Sequence, residues 1–174
     1  MKILVASDTH GDALVLQELL TEYPHMDGYF YCGDSELRAS DPVFDTWRAV
    51  QGNMDFDPGF PMTLTVPVGA HTVFMAHGHK YAVGWRRDEL VAAGVAAGAD
   101  IILYGHTHVA LAEVHQNVLV VNPGSISQPR GDLAPLGGMY AVVTVDDDGR
   151  RVEYGTRTRG LIPKLTRTFP VGSE

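Results

Sequence analysis

The stretch Ile3-Leu4-Val5-Ala6-Ser7-Asp8-Thr9-His10 joins a short apolar run to a cluster of side chains able to bind metal. Roughly 4–8 apolar residues suit a buried β-strand and fall short of a helix. The pattern recurs along the chain. Residues 29–32 end in Gly33-Asp34, the run at 49–50 in Gly52-Asn53, residues 72–76 in His77-Gly78-His79, and residues 101–104 in Gly105-His106-Thr107-His108. In a mostly parallel sheet the carboxyl ends of the strands face one crevice, where ligands sit in open α/β folds. Five strand ends carrying carboxylate, amide and imidazole groups are therefore expected to converge. The glycines before Asp34, Asn53 and His106 permit tight turns and close backbone approach.

Outward from these runs, residues 13–23 place Leu16, Leu19, Leu20 and Tyr23 at i, i+3, i+4 and i+7, one apolar face of a helix. Asp41-Pro42 reads as a cap and first-turn proline for a short helix through Trp47, and residues 85–98 form a third helical stretch weakened by Gly94. The second half turns into hairpins. Residues 62–66 and 72–76 flank Val68-Gly69-Ala70, residues 111–114 and 118–121 flank Gln116-Asn117, and residues 140–145 and 151–154 flank Asp146-Asp147-Asp148-Gly149. Two stacked sheets with helices outside follow. The tail with Arg157, Arg159, Lys164 and Arg167 reads as a last edge strand and a solvated end. No repeat or linker divides the chain, so residues 1–174 are expected to form a single domain.

A hydrophobic share of 45% with 20% charged residues belongs to a soluble globular protein. The apolar run at residues 3–6 is far too short for a signal peptide core or a membrane span, which predicts no membrane association. The single cysteine, Cys32, cannot form an intrachain disulfide, which points to the cytoplasm. Thirteen basic against twenty-one acidic residues leave a net charge of −8, which argues against stable nucleic-acid binding. Bound divalent ions reverse that sign locally, so an acidic chain can still recognise phosphate.

The donor set contains no nearby thiolate and favours Mn²⁺, Fe²⁺, Ni²⁺, Zn²⁺ or Mg²⁺ over Cu(I) or an iron–sulfur cluster. Seven donors are too many for one octahedral ion with open positions; two ions ~3.5–4 Å apart are the economical solution. In order, Asp8-x-His10, Gly33-Asp34, Gly52-Asn53, His77-Gly78-His79 and Gly105-His106-x-His108 resemble the signature of the calcineurin-like metallophosphoesterases. The compact length and Asn122-Pro123-Gly124-Ser125, by itself a strand-ending turn, narrow the resemblance to the small phosphodiesterase branch of bacteria and archaea. The match runs from Asp8 to about Arg130.

The resemblance implies an α/β fold, a four-layer α-β-β-α sandwich of two mixed β-sheets flanked by helices. It implies two divalent ions, Mn²⁺ first, with Ni²⁺, Fe²⁺, Zn²⁺ and Mg²⁺ as alternatives. Asp8, His10 and His108 would hold one, Asn53, His77 and His106 the other, and Asp34 would bridge them. The implied reaction is phosphodiester hydrolysis by a hydroxide shared between the ions. Asp34, His79 and Arg130 form the expected catalytic set, His79 orienting a ligand or touching substrate and Arg130 meeting a phosphate oxygen. Larger phosphatases of the family carry a histidine after the Gly-Asn asparagine, where it protonates the leaving oxygen; here that position is Met54. Activated esters are therefore the expected substrates.

The alternatives are a phosphomonoesterase or nucleotidase of the same fold, or a non-catalytic metal-binding scaffold. The branch also resembles a eukaryotic retromer subunit that serves mainly as a scaffold and lacks the Asp-x-His histidine; this chain retains His10. The expected partner is a small phosphoester. A homo-oligomer through apolar residues such as Trp47, Phe56 or Phe60 stays open, since these equally suit a core.

Overall fold

The computed structural model describes residues 1–172. In chain order its elements are β1 (Lys2–Ala6), α1 (Ala13–Glu22), β2 (Gly28–Tyr31), β3 (Arg48–Ala49), β4 (Thr63–Val68), β5 (His71–Ala76), α2 (Asp88–Ala96), β6 (Ile101–Leu103), β7 (Leu111–His115), β8 (Val118–Asn122), β9 (Met139–Asp146), β10 (Gly149–Thr156), β11 (Gly160–Leu161) and β12 (Arg167–Pro170). Short 3₁₀ turns occupy Pro42–Asp45, Ala134–Leu136 and Pro163–Leu165.

Period-two alternation builds the layers. Ile3 and Val5 of β1 face a core shared with Met75 of β5, Leu103 of β6 and Val121 of β8, which is the interior between the two sheets. Leu4 and Ala6 face the other way, onto Val15, Leu16 and Leu19 of α1. On the far side Phe74, Ile102 and Val120 pack against Leu90 and Val91 of α2. The expected four-layer sandwich is the result. Each fully buried aliphatic side chain contributes roughly 1.5–3 kcal/mol.

One sheet runs β11-β10-β9-β1-β2-β3, with β12 also paired to β10; the other runs β4-β5-β6-β8-β7. Both are mixed. In the first, β1, β2 and β3 are mutually parallel neighbours, and in the second, β5, β6 and β8 are. All three expected hairpins form, as β4–β5, β7–β8 and β9–β10, and the tail adds β12 at an edge. At the tip of β7–β8, Gln116 and Asn117 take φ of 52° and 62°, the geometry of a tight primed turn.

Helix α1 begins after Asp12, whose Oδ1 accepts the Val15 N–H at 3.2 Å. The other helical segments depart from expectation. Residues 42–45 form a 3₁₀ turn, and α2 starts at Asp88 instead of Trp85. Ala82 takes a φ of 52°, and its carbonyl accepts from Trp85 and Arg86 in a closed turn that blocks an earlier start. Trp47 and Phe60 join the core, whereas Phe56 is 87% exposed. Among the described residues no helix is long and apolar enough to cross a membrane.

Candidate metal centre

The parallel strands deliver the five donor clusters to one edge of the sandwich, where backbone bonds join the loops. Asp8 N–H donates to Gly33 O at 3.0 Å, His10 N–H to Asp34 O at 3.1 Å, and Gly105 N–H to His77 O at 2.9 Å. Asp8, His10 and His108 bring one donor atom each within 4.8 Å of one another; so do Asp8, Asp34 and His77. Asp8 belongs to both groups and Asp34 to one. Asn53 Oδ1 lies 3.1 Å from His77 Nε2, and the ring of His106 lies 5.2 Å from that of His77. His10, Asp34, Asn53, Met54, His106 and Arg130 are among the walls of a crevice of about 340 Å³. A larger concavity, about 650 Å³ beside Trp47 and Phe60, holds none of these donors.

The imidazoles have an orientation that suits a bound cation. His77 Nδ1 donates to Cys32 O at 2.7 Å, His108 Nδ1 to Gln128 O at 2.7 Å, and His10 Nδ1 to Glu36 Oε1 at 2.7 Å. Each ring therefore turns Nε2 inward as a lone pair. His77 Nε2 faces Asp34 Oδ2 at 3.2 Å, His108 Nε2 faces Asp8 Oδ1 at 3.1 Å, and His10 Nε2 faces His108 Nε2 at 3.5 Å. Asp8 is fully buried, yet neither of its oxygens has a hydrogen-bond partner. Acceptors facing acceptors in a dry place require positive charge. These residues fit divalent metal.

Without metal, protons meet part of that need. Burial lowers the pKa of His77, but the Asp34 hydrogen bond and the charges of Asp8 and Asp34 outweigh it and leave the imidazole raised. His108 is raised in the same way, the Asp8 carboxylate overcoming burial. Burial pulls Asp34 up, but His77 and, more weakly, His10 hold it below the usual carboxylate range. His106 and His79 are lowered by burial and by the charge of His77.

His79 lies beside the crevice, not on its wall, its ring 5.5 Å from His77 and 6.2 Å from His106, and its Nδ1 is buried without a partner. Arg130 lines the crevice and donates its N–H to His108 O at 2.9 Å. Among the described residues, six of the nine non-glycine residues with positive φ belong to this site: Asp8, His10, Asp34, Glu36, His106 and His108. Gly33 has a φ of 98°, and a Cβ there would meet His77 Nδ1 at 2.7 Å and Gly52 N at 2.9 Å.

Several supporting residues escape a reading by motif. Glu36 orients His10. Asn122 Nδ2 donates to Gly105 O at 2.8 Å and Thr107 Oγ1 at 3.1 Å on either side of His106, and Ser125 Oγ donates to Asp8 O at 2.9 Å. The Asn122-Pro123-Gly124-Ser125 turn is thus a brace for the donor loops. Asp55 accepts backbone N–H groups from the loops that carry Asp34 and Asn53. An Asp two residues after the candidate ligand Asn53 is the trace of this in the sequence, and its spacing alone names no partner.

Residues 1–148 match the calcineurin-like phosphoesterase superfamily domain. The chain is 33% identical to the probable metallophosphoesterase YsnB of Bacillus subtilis, covering 88% of this chain and 90% of YsnB. It is also 33% identical to the phosphodiesterase YfcE of Escherichia coli, over 80% of this chain and 86% of that one. A predicted phosphoesterase of Streptococcus pneumoniae superposes with a TM-score of 0.92 at 38% identity, covering 97% of both chains. Vps29 of Entamoeba histolytica shares the fold, with a TM-score of 0.70 at 19% identity over 98% of each chain.

Proposed function

The chain belongs to the calcineurin-like phosphoesterase superfamily, and on that premise we propose that it is a divalent-metal-dependent phosphodiesterase of the cytoplasm, acting as one domain on small phosphoesters. The observation that carries this proposal is the meeting of inward imidazole lone pairs with the buried, unpartnered carboxylate of Asp8. Asp8, His10 and His108 would hold one ion and Asn53, His77 and His106 the other, with Asp34 between them. Asp34 Oδ2 lies 3.2 Å from His77 Nε2, and Asp34 lines the crevice together with His10, Asn53 and His106, which supports its place between the two sets. Mn²⁺ is the first choice, with Ni²⁺, Fe²⁺, Zn²⁺ and Mg²⁺ as alternatives.

When bound, two such ions lower the pKa of water and neutralise charge on the phosphoryl oxygens. The chain's own groups position and discriminate. Arg130 presents its guanidinium to a non-bridging oxygen. Hydrogen bonds to Cys32 O, Gln128 O and Glu36 Oε1 keep His77, His108 and His10 turned inward. His79 is a positioning residue that packs against His77 and His106. Met54 is 40% exposed on the crevice wall and has no proton to give. The leaving oxygen therefore departs as an anion, which favours aryl and other activated esters; loss of a general acid costs about 10²–10⁴-fold with poor leaving groups.

The test is hydrolysis of an aryl phosphodiester and the matching monoester after chelation and re-addition of each ion, with Asp34→Asn and His77→Ala as controls. Diester turnover that needs metal and both residues is the expected result. Monoester preference replaces it with the phosphatase alternative. No turnover from a protein that binds two ions replaces it with the scaffold.

A further inference from the structure

Asp55 is a buried carboxylate that the chemistry above leaves without a task. It is 5% exposed. Its Oδ2 accepts the N–H groups of Asp34 and Gly52, both at 2.8 Å. Its Oδ1 accepts the N–H groups of Ser35 at 2.8 Å and Glu36 at 2.7 Å, together with the Ser35 hydroxyl at 2.9 Å. A carboxylate offers about four lone-pair sites, so these donors saturate it. Asp55 has nothing left for a metal ion.

The donors lie on two loops, one following β2 and bearing Asp34, the other following β3 and bearing Asn53. Asp34 and Glu36 sit at φ of 59° and 57°, backbone conformations that need outside support. Amide groups converging on one anion supply that support. Asn53 and Asp34 both face His77 Nε2, so the clamp sets the distance between two donors of one metal position. The set Asp8, His10 and His108 meets the clamped loops through one of them alone, by the backbone bonds of His10 N–H to Asp34 O and Gly11 N–H to Ser35 O and by Glu36, whose carboxylate holds His10.

We infer that Asp55 is a positioning residue that clamps the two loops bearing Asp34 and Asn53, so that its loss weakens the metal position of Asn53, His77 and His106 more than that of Asp8, His10 and His108, which depends on one of the two loops only. The inference rests on the two-metal proposal above. Its chemistry is specific to a carboxylate. Asparagine has the same shape, but its NH₂ would face backbone N–H donors, losing bonds and adding repulsion.

Mn²⁺ titration of the chelated full chain, read by calorimetry and electron paramagnetic resonance, tests the clamp. The wild type should take up two ions and show the signature of a coupled pair. In Asp55→Asn the second ion should bind about 10–100-fold more weakly and the first should lose several-fold less, leaving an isolated-ion spectrum. Equal weakening of both ions, or of neither, overturns the inference. If Asp55→Asn does not fold, Ser35→Ala removes one of the bonds and should weaken the second ion about 3–10-fold; unchanged affinity is then the contrary result. Amide exchange in the metal-free protein gives an independent reading. The N–H groups of Asp34, Ser35, Glu36 and Gly52 should lose protection in Asp55→Asn, or in Ser35→Ala for Ser35 and its neighbours, while sheet amides keep theirs; retained protection overturns the clamp. A wild type that binds fewer than two ions refutes the two-metal proposal, and amide exchange then decides the clamp alone.

Discussion

Replacing Gly33 by alanine tests how tightly the donor loops are packed. The added methyl has two costs. At a φ of 98° any side chain is strained, worth about 1–3 kcal/mol. The methyl would also meet His77 Nδ1 at 2.7 Å, Gly52 N at 2.9 Å and Gly52 Cα at 3.0 Å, two of them backbone atoms that cannot rotate away. Overpacking of this kind costs about 1–3 kcal/mol, so the sum is about 2–6 kcal/mol. For a chain of this length that lowers the melting temperature by about 4–24 °C. The side chain most able to yield is His77, whose Nδ1 bond to Cys32 O at 2.7 Å would have to break. A displacement of about 1 Å in a catalytic group costs on the order of 10²-fold in rate. Gly69→Ala is the matched control, because Gly69 also has positive φ, 61°, but nothing lies within 4 Å of its Cβ position. Thermal denaturation and metal-dependent diester hydrolysis of the two variants separate strain from packing. If Gly33→Ala melts with Gly69→Ala and keeps wild-type turnover, the packing argument fails.

Glu36→Gln keeps the shape of the side chain and removes the charge facing His10 Nδ1; affinity for Mn²⁺ should fall about 10–100-fold by calorimetry, with little change in melting temperature. Tyr31→Phe removes a hydroxyl that accepts the Thr9 N–H at 2.9 Å and pairs with Thr9 Oγ1. The orphaned buried N–H should cost about 1–3 kcal/mol in urea denaturation. The metal-free protein should be most stable near the ordinary histidine value, about pH 6.5. Above it, His77 and His108, whose pKa values are raised in the folded state, lose their protons and the stability of their carboxylate pairs declines. Below it, His79 and His106, held low, resist the protons that the unfolded chain accepts. Saturating Mn²⁺ should abolish the decline on the alkaline side, and a flat metal-free profile in urea midpoints between pH 6 and 8 would count against these shifts.

What was legible in the chain was whatever is local. An apolar run followed within a few residues by Asp, Asn or His carries its own meaning, so the donors of the crevice and the strands beneath them could be found by inspection. The unbroken apolar run from Ile3 to Ala6 likewise marked a strand buried on both faces. The braces were not legible, because Asp55, Asn122 and Ser125 act on backbone groups from distant segments. No pattern of side chains announces a bond to a distant backbone amide or carbonyl. The start of α2 differs from the expected Trp85 because the turn at Ala82 decides where the helix begins, and Trp85 itself is 95% exposed. Trp47 and Phe60 required the tertiary fold to distinguish core from surface.

The left-handed backbone at Asp8, His10, Asp34, Glu36, His106 and His108 has a consequence for the chain's history under selection. Each such residue gives up about 1–2 kcal/mol that glycine would recover. Screening this protein for heat resistance without metal would reward glycine at these positions and erode the donor set. Screening with metal present would retain it, since binding energy repays the strain. Two libraries from one gene, differing only in whether chelator is in the buffer, should therefore diverge at these positions and agree elsewhere.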